Sequence, residues 1–241
     1  MLRTVTFFTK FGLHLVSTIH TSYRYNQLGK AGETEEQTQF LNDAAKGWGQ
    51  YLVERTKSTV NVIGKENIPE GPCLIISNHQ SNFDIPILAG YLDKPIGFIA
   101  KKELAKVPII SKWMERIHCV FIDRDNPRQA IKALATAATS LQQGNSLVIF
   151  PEGTRSKSQN MGEFKKGSLR LAEKSGVPIL PITLIDSYKI YEGNNNRIRT
   201  AKVQVIVDKP IYIDQLDDAQ KSGLLDTIKT QIQANLDKAT S

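Results

Sequence analysis

An imidazole followed five residues later by a carboxylate is the smallest unit of this chain that could do chemistry. The pair is His79 and Asp84, in the stretch Asn78-His79-Gln80-Ser81-Asn82-Phe83-Asp84. A carboxylate bonded to one ring nitrogen fixes the histidine tautomer and leaves the other nitrogen free to take a proton, which makes a general base for a hydroxyl. The spacing limits how the two can meet. On an unbroken helix, residues five apart point roughly 140° from each other. Pairing therefore requires His79 in a loop and Asp84 in the first turn of the helix that follows. Neighbouring residues suit this arrangement: Ser81, Asn82 and Asp84 are favourable at a helix N-cap, and Pro86 is tolerated in a first turn. Taken alone, the same residues also fit a loop histidine and an aspartate that only caps a helix.

A second set of residues could hold an anion. Pro151-Glu152-Gly153-Thr154-Arg155-Ser156 follows an apolar run at 146–150. There Gly153 lets the backbone approach a ligand, Thr154 and Ser156 offer hydroxyls, and the fork of Arg155 matches two phosphate oxygens. A tight surface turn is the alternative. Arg124 follows the apolar run 119–122, and Lys165 precedes a helix expected over 169–174. Lys101 and Lys102 follow another apolar run at 96–100, either meeting a phosphate or sitting in a solvated turn.

The elements that must position these residues alternate. Residues 60–63, 73–77, 96–100, 119–122 and 146–150 read as strands, and 85–92, 107–116, 130–142 and 169–174 as helices. Alternation of this kind indicates an α/β fold with a largely parallel central sheet flanked by helices, whose site forms at the strand carboxyl ends. The proline-broken run 177–182 reads as an edge strand or the wall of a lipid channel. Ahead of the sheet, helical stretches over 4–25 and 38–56 form an N-terminal hairpin around a breaker at 29–36. In the first, Phe8, Phe11, Leu15 and Ile19 share one face with Arg3, Lys10 and Arg24 nearby. It is too polar to span a bilayer and lacks the plan of a secretory signal. An amphipathic helix lying in the membrane interface is the preferred reading; a helix packed on the protein's own core is the other.

With 241 residues and a 40% apolar composition, the chain is long enough for one α/β domain and is not a disordered one. The net charge of +7 is uneven: residues 94–209 carry 20 Lys and Arg against 10 Asp and Glu. That excess suits an anionic partner such as phosphate groups, anionic headgroups or an acidic carrier protein. Nucleic acid is disfavoured, because no aromatic-rich pattern accompanies the basic residues. Cys73 and Cys119 both adjoin apolar runs and form neither a disulfide framework nor a metal site, which favours a reducing, cytoplasmic setting.

Four stretches, in this order, resemble the glycerolipid acyltransferase family, whose best-known members are the 1-acyl-sn-glycerol-3-phosphate acyltransferases. They are Asn78 to Asp84 with its His-x4-Asp spacing, Val120-Phe121-Ile122-Asp123-Arg124, Phe150 to Ser156, and Val177-Pro178-Ile179-Leu180-Pro181. The resemblance covers about residues 60–210 and divides the chain into a membrane-associating hairpin, 1–58, and an acyltransferase domain, 59–241. It implies that His79 is the base for the sn-2 hydroxyl of lysophosphatidic acid, oriented by Asp84. The acyl donor would be a thioester on coenzyme A or acyl carrier protein, and no metal or resident cofactor is implied. The family's phosphate and glycerol positions fall on Arg124, Glu152, Gly153, Thr154 and Arg155, with Lys101, Lys102 and Lys165 added from charge and placement. Because a carboxylate repels phosphate, Glu152 is expected to bond the glycerol or hold an arginine. One departure is His118-Cys119-Val120, where the family often carries glycine and small residues.

The implied location is the cytoplasmic face of the cell membrane, peripheral or monotopic. Two alternatives keep part of this reading: the same chemistry on another lysophospholipid or lyso-aminolipid, and an inactive peripheral lipid-binding protein. A serine hydrolase is disfavoured, since no Gly-x-Ser-x-Gly elbow is present.

Overall fold

The computed structural model describes residues 1–239. Helices α1 (Leu2–Ala31) and α2 (Thr34–Arg55) form the expected hairpin, longer than the sequence pattern indicated. The turn between them is set by Gly32, whose left-handed φ of 79° closes α1. Then follow β1 (Thr59–Ile63), β2 (Leu74–Ser77), α3 (Asp84–Tyr91), β3 (Gly97–Lys101), α4 (Ile110–Arg116) and β4 (Val120–Ile122). The rest of the chain forms α5 (Pro127–Gln142), β5 (Leu147–Ile149), α6 (Gly167–Ser175), β6 (Ile179–Ile185), β7 (Lys202–Val207) and α7 (Asp218–Lys238). Two of these, β7 and α7, go beyond the elements expected from sequence. Helix starts carry their own chemistry. Asn126 accepts from Gln129 N–H at the head of α5 with Pro127 in the first turn, and Asp217 with Gln220 forms a reciprocal capping box on α7.

Seven strands form one sheet in the order β1-β7-β6-β2-β5-β3-β4. The five from β6 to β4 are mutually parallel, whereas β7 pairs antiparallel with β6 and carries β1 parallel to itself. This is the largely parallel sheet that the alternation of elements called for. Side chains alternate across it. Ile75, Val148, Leu180 and Val205 face a core shared with α1, α2 and α3, while Leu74, Ile76, Leu147 and Ile179 face α5, α6 and α7. Strand β2 is buried on both faces, which explains its unbroken apolar run. Each of its isoleucines contributes roughly 1.5–3 kcal/mol on burial.

Two expectations need correction. The proline-broken run is no edge: β6 is buried throughout and lies between β7 and β2. Pro181 is accommodated because it falls between the Ile179–Ile211 bridge and the antiparallel ladder that begins at Ile182. Its carbonyl accepts from Asp208, and no donor is needed from its nitrogen at that bulge. The outward face of α1 also differs from the one expected. Phe7 is buried and Phe11 packs on the core, whereas Phe8 and Ile19 of the expected face are exposed together with Leu2, Val5, Leu13, Val16 and Tyr23. At 3.6 residues per turn these seven fall within an arc of roughly 140°.

The hairpin is not a separate body. Phe7, Leu52 and Val53 belong to the same core as Ile75 and Val148. Helix α2 crosses α3 at closest approach where Gly49 meets Gly90, and a Cβ on Gly49 would stand 2.5 Å from the Pro86 carbonyl oxygen.

Candidate active site

All five mutually parallel strands deliver the candidate residues from their carboxyl ends, and strand order decides which meet. Central β2 leads into Asn78 and His79, its neighbour β5 leads into residues 150–156, and β6 on the other side leads into Asp186 and Ser187. Asn78 anchors the loop by extending the sheet: its side-chain amide donates to the Leu184 carbonyl and accepts the Leu184 N–H, both at 2.8 Å.

The loop then turns so that His79 Nδ1 lies 2.7 Å from Asp84 Oδ2, with Asp84 the first residue of α3. This is the loop-to-helix arrangement that the spacing required. Asp84 is fully buried, and four donors surround it. The N–H groups of Gln80 and Ser81 reach Oδ2 at 2.7 and 2.9 Å, His79 reaches the same oxygen, and the Ser187 hydroxyl donates to Oδ1. Since an ionised carboxylate only accepts, the proton on this imidazole sits on Nδ1, and Nε2 is the basic nitrogen. The ring stacks on Phe150, 4.0 Å between centroids at 15°, and keeps 16% exposure. The helical hairpin reaches this loop too, through Phe7 against Phe83 at 5.6 Å.

The loop after β5 is bonded to the same histidine at two points. His79 N–H donates to Glu152 Oε1 at 2.7 Å, and Ser156 N–H donates to the His79 carbonyl at 2.8 Å. The second Glu152 oxygen accepts from Gly162 N–H at 2.7 Å. Both carboxylate oxygens are thus engaged by backbone, and the expectation that Glu152 bonds glycerol or holds an arginine gives way to a bracing role. Burial pushes its pKa up, against the pull of the His79 and Gly162 amides.

Three of the expected cations gather on this loop. Arg124 donates from Nη1 to the Gly153 carbonyl, and Arg155 lies within the loop. The Lys165 ammonium stands 3.0 Å from where a Gly153 side chain would begin. Gly153 has φ +72°, a conformation L side chains rarely adopt, so glycine here serves both turn and close approach. Thr154 is exposed on the same turn. Lys101 and Lys102 are placed otherwise. They pair with carboxylates, Lys101 with Glu103 at 3.5 Å and Lys102 with Asp123 at 2.7 Å, and the hydrogen bond to Asp123 holds the Lys102 pKa above its usual value.

Sequence patterns pointed to neither Ser187 nor Glu192, yet both complete the site. Glu192 pairs with Arg155 at 2.7 Å and also accepts from Ser81 and Asn82 in the histidine loop. A cleft of about 740 Å³ opens elsewhere, among the amino ends of β3 and β5, but its cations are already engaged. Lys46 pairs with Asp93, Lys94 donates to the carbonyls of Pro69 and Gly71, and Arg116 donates to Ser22 and Asn26.

Comparisons with known proteins bear on the family. The chain is 36% identical over 181 residues to a chloroplastic 1-acyl-sn-glycerol-3-phosphate acyltransferase of Brassica napus, an alignment covering 74% of this chain and 52% of that one. It is 41% identical over 142 residues to a 1-acyl-sn-glycerol-3-phosphate acyltransferase of Pseudomonas aeruginosa, covering 57% of this chain and 55% of the relative. Alignments to the first curated relatives thus span between half and two thirds of their length, at 52%, 61% and 64%. The crystal structure of the 1-acyl-sn-glycerophosphate acyltransferase PlsC from Thermotoga maritima superposes over 100% of this chain and 95% of its own, with a TM-score of 0.88 at 26% identity. The family model named Acyltransferase matches residues 59–185, from β1 to the end of β6, and so takes in the His79–Asp84 pair and the whole Glu152–Ser156 loop. The chain belongs to the acyltransferase family.

Proposed function

We propose that this protein moves an acyl group from a thioester, on coenzyme A or acyl carrier protein, to the sn-2 hydroxyl of 1-acyl-sn-glycerol-3-phosphate, giving phosphatidic acid for phospholipid synthesis. The observation that carries the reading is His79: Nδ1 is held by buried Asp84, and Nε2 is left basic beside a loop that collects Arg124, Arg155 and Lys165. The relatives' names supply the acceptor.

In the proposed reaction, the acceptor phosphate is held by Arg155, with Arg124 and Lys165 adding positive charge around the Gly153 turn. His79 Nε2 takes the proton of the sn-2 hydroxyl as its oxygen bonds to the thioester carbonyl carbon. The C–S bond then breaks, and the thiolate leaves with the proton from the imidazolium. Asp84 keeps the ring in one tautomer and stabilises the imidazolium, so no resident metal or cofactor is required. The exposed apolar face of α1 supports peripheral seating on a membrane from which the lysolipid enters; no helix among the described residues is long and apolar enough to cross one.

The test is thiol release by the purified protein from acyl coenzyme A, offered a panel of lysolipids in mixed micelles. Preference for the phosphate monoester is expected. Equal rates with lysophosphatidylcholine or a lyso-aminolipid would replace the acceptor, and vesicle binding without thiol release would replace the enzyme by a lipid-binding protein.

A further inference from the structure

Glu192 lies beyond the segment that matches the family model and outside every motif of the sequence. Its side chain is 2% exposed, and three donors from two separate loops converge on its two oxygens. Oε1 accepts from Arg155 Nη1 at 2.7 Å and from Asn82 N–H at 2.9 Å, while Oε2 accepts from the Ser81 hydroxyl at 2.5 Å. Ser81 is itself fully buried, and its oxygen accepts the N–H of Phe83. A buried carboxylate persists only when paired and hydrogen-bonded, and here the pairing comes from one side of the site and the bonding from the other.

The consequence is geometric. The loop from Asn78 to Asp84 carries the base, and the loop from Pro151 to Ser156 carries the arginine. Glu192 is bonded to both. The bond from Nη1 ties the guanidinium of Arg155 to Glu192, and among the described residues Nη2 and Nε have no hydrogen-bond partner. The neighbouring Tyr191 packs against Phe8 of α1, 5.7 Å between ring centroids, so the segment bearing Glu192 is itself held.

Resting on the reaction proposed above, we infer that Glu192 is a positioning residue for the acceptor headgroup. It holds the guanidinium of Arg155 in place beside the histidine loop, so that the acceptor phosphate meets an arginine already ordered to bind it. It touches neither substrate nor base and acts through Arg155.

Glu192→Gln tests this with little change of shape: one amide oxygen still accepts, the Ser81 hydroxyl can turn to accept from the amide, and the ion pair with Arg155 is lost. Wild type, Glu192→Gln, Arg155→Ala and the double variant are compared by thiol release with acyl coenzyme A and 1-acyl-sn-glycerol-3-phosphate. Loss of binding common to ground and transition states raises KM alone. Glu192→Gln is therefore expected to raise the acceptor KM roughly tenfold, with kcat and the thioester KM within about twofold. Coupled residues are non-additive, so in the Arg155→Ala background the same change adds less than about twofold. A variant that lowers kcat and raises both KM values alike, or that keeps its full effect without Arg155, overturns the inference in favour of a purely structural role. A wild-type protein that releases no thiol overturns the proposed reaction instead. The positioning role is then decided by calorimetric binding of 1-acyl-sn-glycerol-3-phosphate to the four proteins, with the same pattern expected in Kd. Equal binding by wild type and Glu192→Gln, or no binding by either, overturns it.

Discussion

The backbone N–H of His79 donates to the carboxylate of Glu152 at 2.7 Å, joining the turn after β2 to the turn after β5 behind the imidazole. Glu152 therefore braces the turn that carries His79, with its second oxygen accepting from Gly162 N–H. Glu152→Gln puts an amide donor against the N–H of either His79 or Gly162, and one unsatisfied buried donor costs roughly 1–3 kcal/mol. The pH dependence has a definite sign. Burial raises the Glu152 pKa above its ordinary 4.5, so the folded protein binds this proton more tightly than the unfolded chain does. Its contribution to stability is complete below 4.5 and is lost as pH rises through the higher folded value. Thermal melts between pH 4 and 8 should show wild type gaining on Glu152→Gln as the medium is acidified across that window. A constant gap would contradict the assignment.

Asp84 accepts from His79 and the Gln80 and Ser81 amides on Oδ2 and from Ser187 on Oδ1, so Asp84→Asn keeps the first three on its amide oxygen when the Ser187 hydroxyl turns to accept from the amide nitrogen and donate to Gln80 Oε1. What the variant loses is the negative charge that stabilises the imidazolium formed when the ring takes a proton. Turnover should fall by about 10² to 10⁴, the usual worth of a general base, and His79→Ala should fall within the same range while vesicle binding persists. The tautomer is readable directly by nitrogen NMR of the His79 ring: a proton on Nδ1 is expected in wild type, and a proton on Nε2 instead would contradict the role given to Asp84. Near-normal turnover in His79→Ala would remove this histidine from the mechanism.

Arg155 is proposed to bind the phosphate of the acceptor, and hydrogen bonds to charged groups are worth roughly 1.5–3 kcal/mol. Arg155→Ala should raise the acceptor KM about 10- to 100-fold with a smaller change in kcat. The change also strands Glu192, so melting is measured alongside. Arg155→Lys restores the charge but not the fork, and should recover only part of the loss. An acceptor KM unchanged in both variants would place the phosphate elsewhere.

What the sequence discloses and what it hides divide by distance along the chain. His79 and Asp84 are five residues apart, and a strand end, cap-forming side chains and Pro86 constrain their meeting locally. The sheet is likewise read from alternating short patterns. Ser187 and Glu192 lie more than 100 residues from the loop they serve, so only the adjacency of β6 to β2 brings them in. Pro181 made β6 look like an edge because composition does not reveal a bulge. The face of α1 was misjudged because Phe11 and Ile19 are equally apolar, and only the packed core distinguishes them. By contrast, the Asp217–Gln220 capping box and the alternation in β7 are local signals that sequence could have supplied.

Gly49 tests whether the helical hairpin is part of the catalytic body. A methyl there would stand 2.5 Å from the Pro86 carbonyl oxygen and 2.7 Å from the Gly90 nitrogen, both backbone atoms of α3. Backbone has little room to yield, so α2 and α3 must separate, and overpacking of this kind costs roughly 1–3 kcal/mol. Pro86 is two residues from Asp84, so displacement of α3 shifts the carboxylate that holds the base. Gly49→Ala should lower the melting temperature and kcat together, although it lies in the hairpin and outside residues 59–185. Retained kcat with a lowered melting temperature would show that α3 absorbs the strain away from its first turn.

The outward side of α1 calls for the opposite result. Val16 and Ile19 are 60% and 55% exposed, so replacing both by Asp removes little packing from the folded state. Each placed an apolar side chain where a membrane interface would receive it, and an aspartate there meets both hydrocarbon and anionic headgroups. Co-sedimentation with phosphatidylglycerol vesicles should fall sharply, the melting temperature should hold within a few degrees, and turnover of a short-chain lysolipid below its micellar concentration should be unchanged. Loss of that soluble-substrate turnover would mean that the face contacts the site rather than the lipid. Unchanged sedimentation would assign membrane seating to the basic middle of the chain, where raising the salt concentration should then release the protein, because exposed charges are screened beyond about 10 Å at 0.1 M.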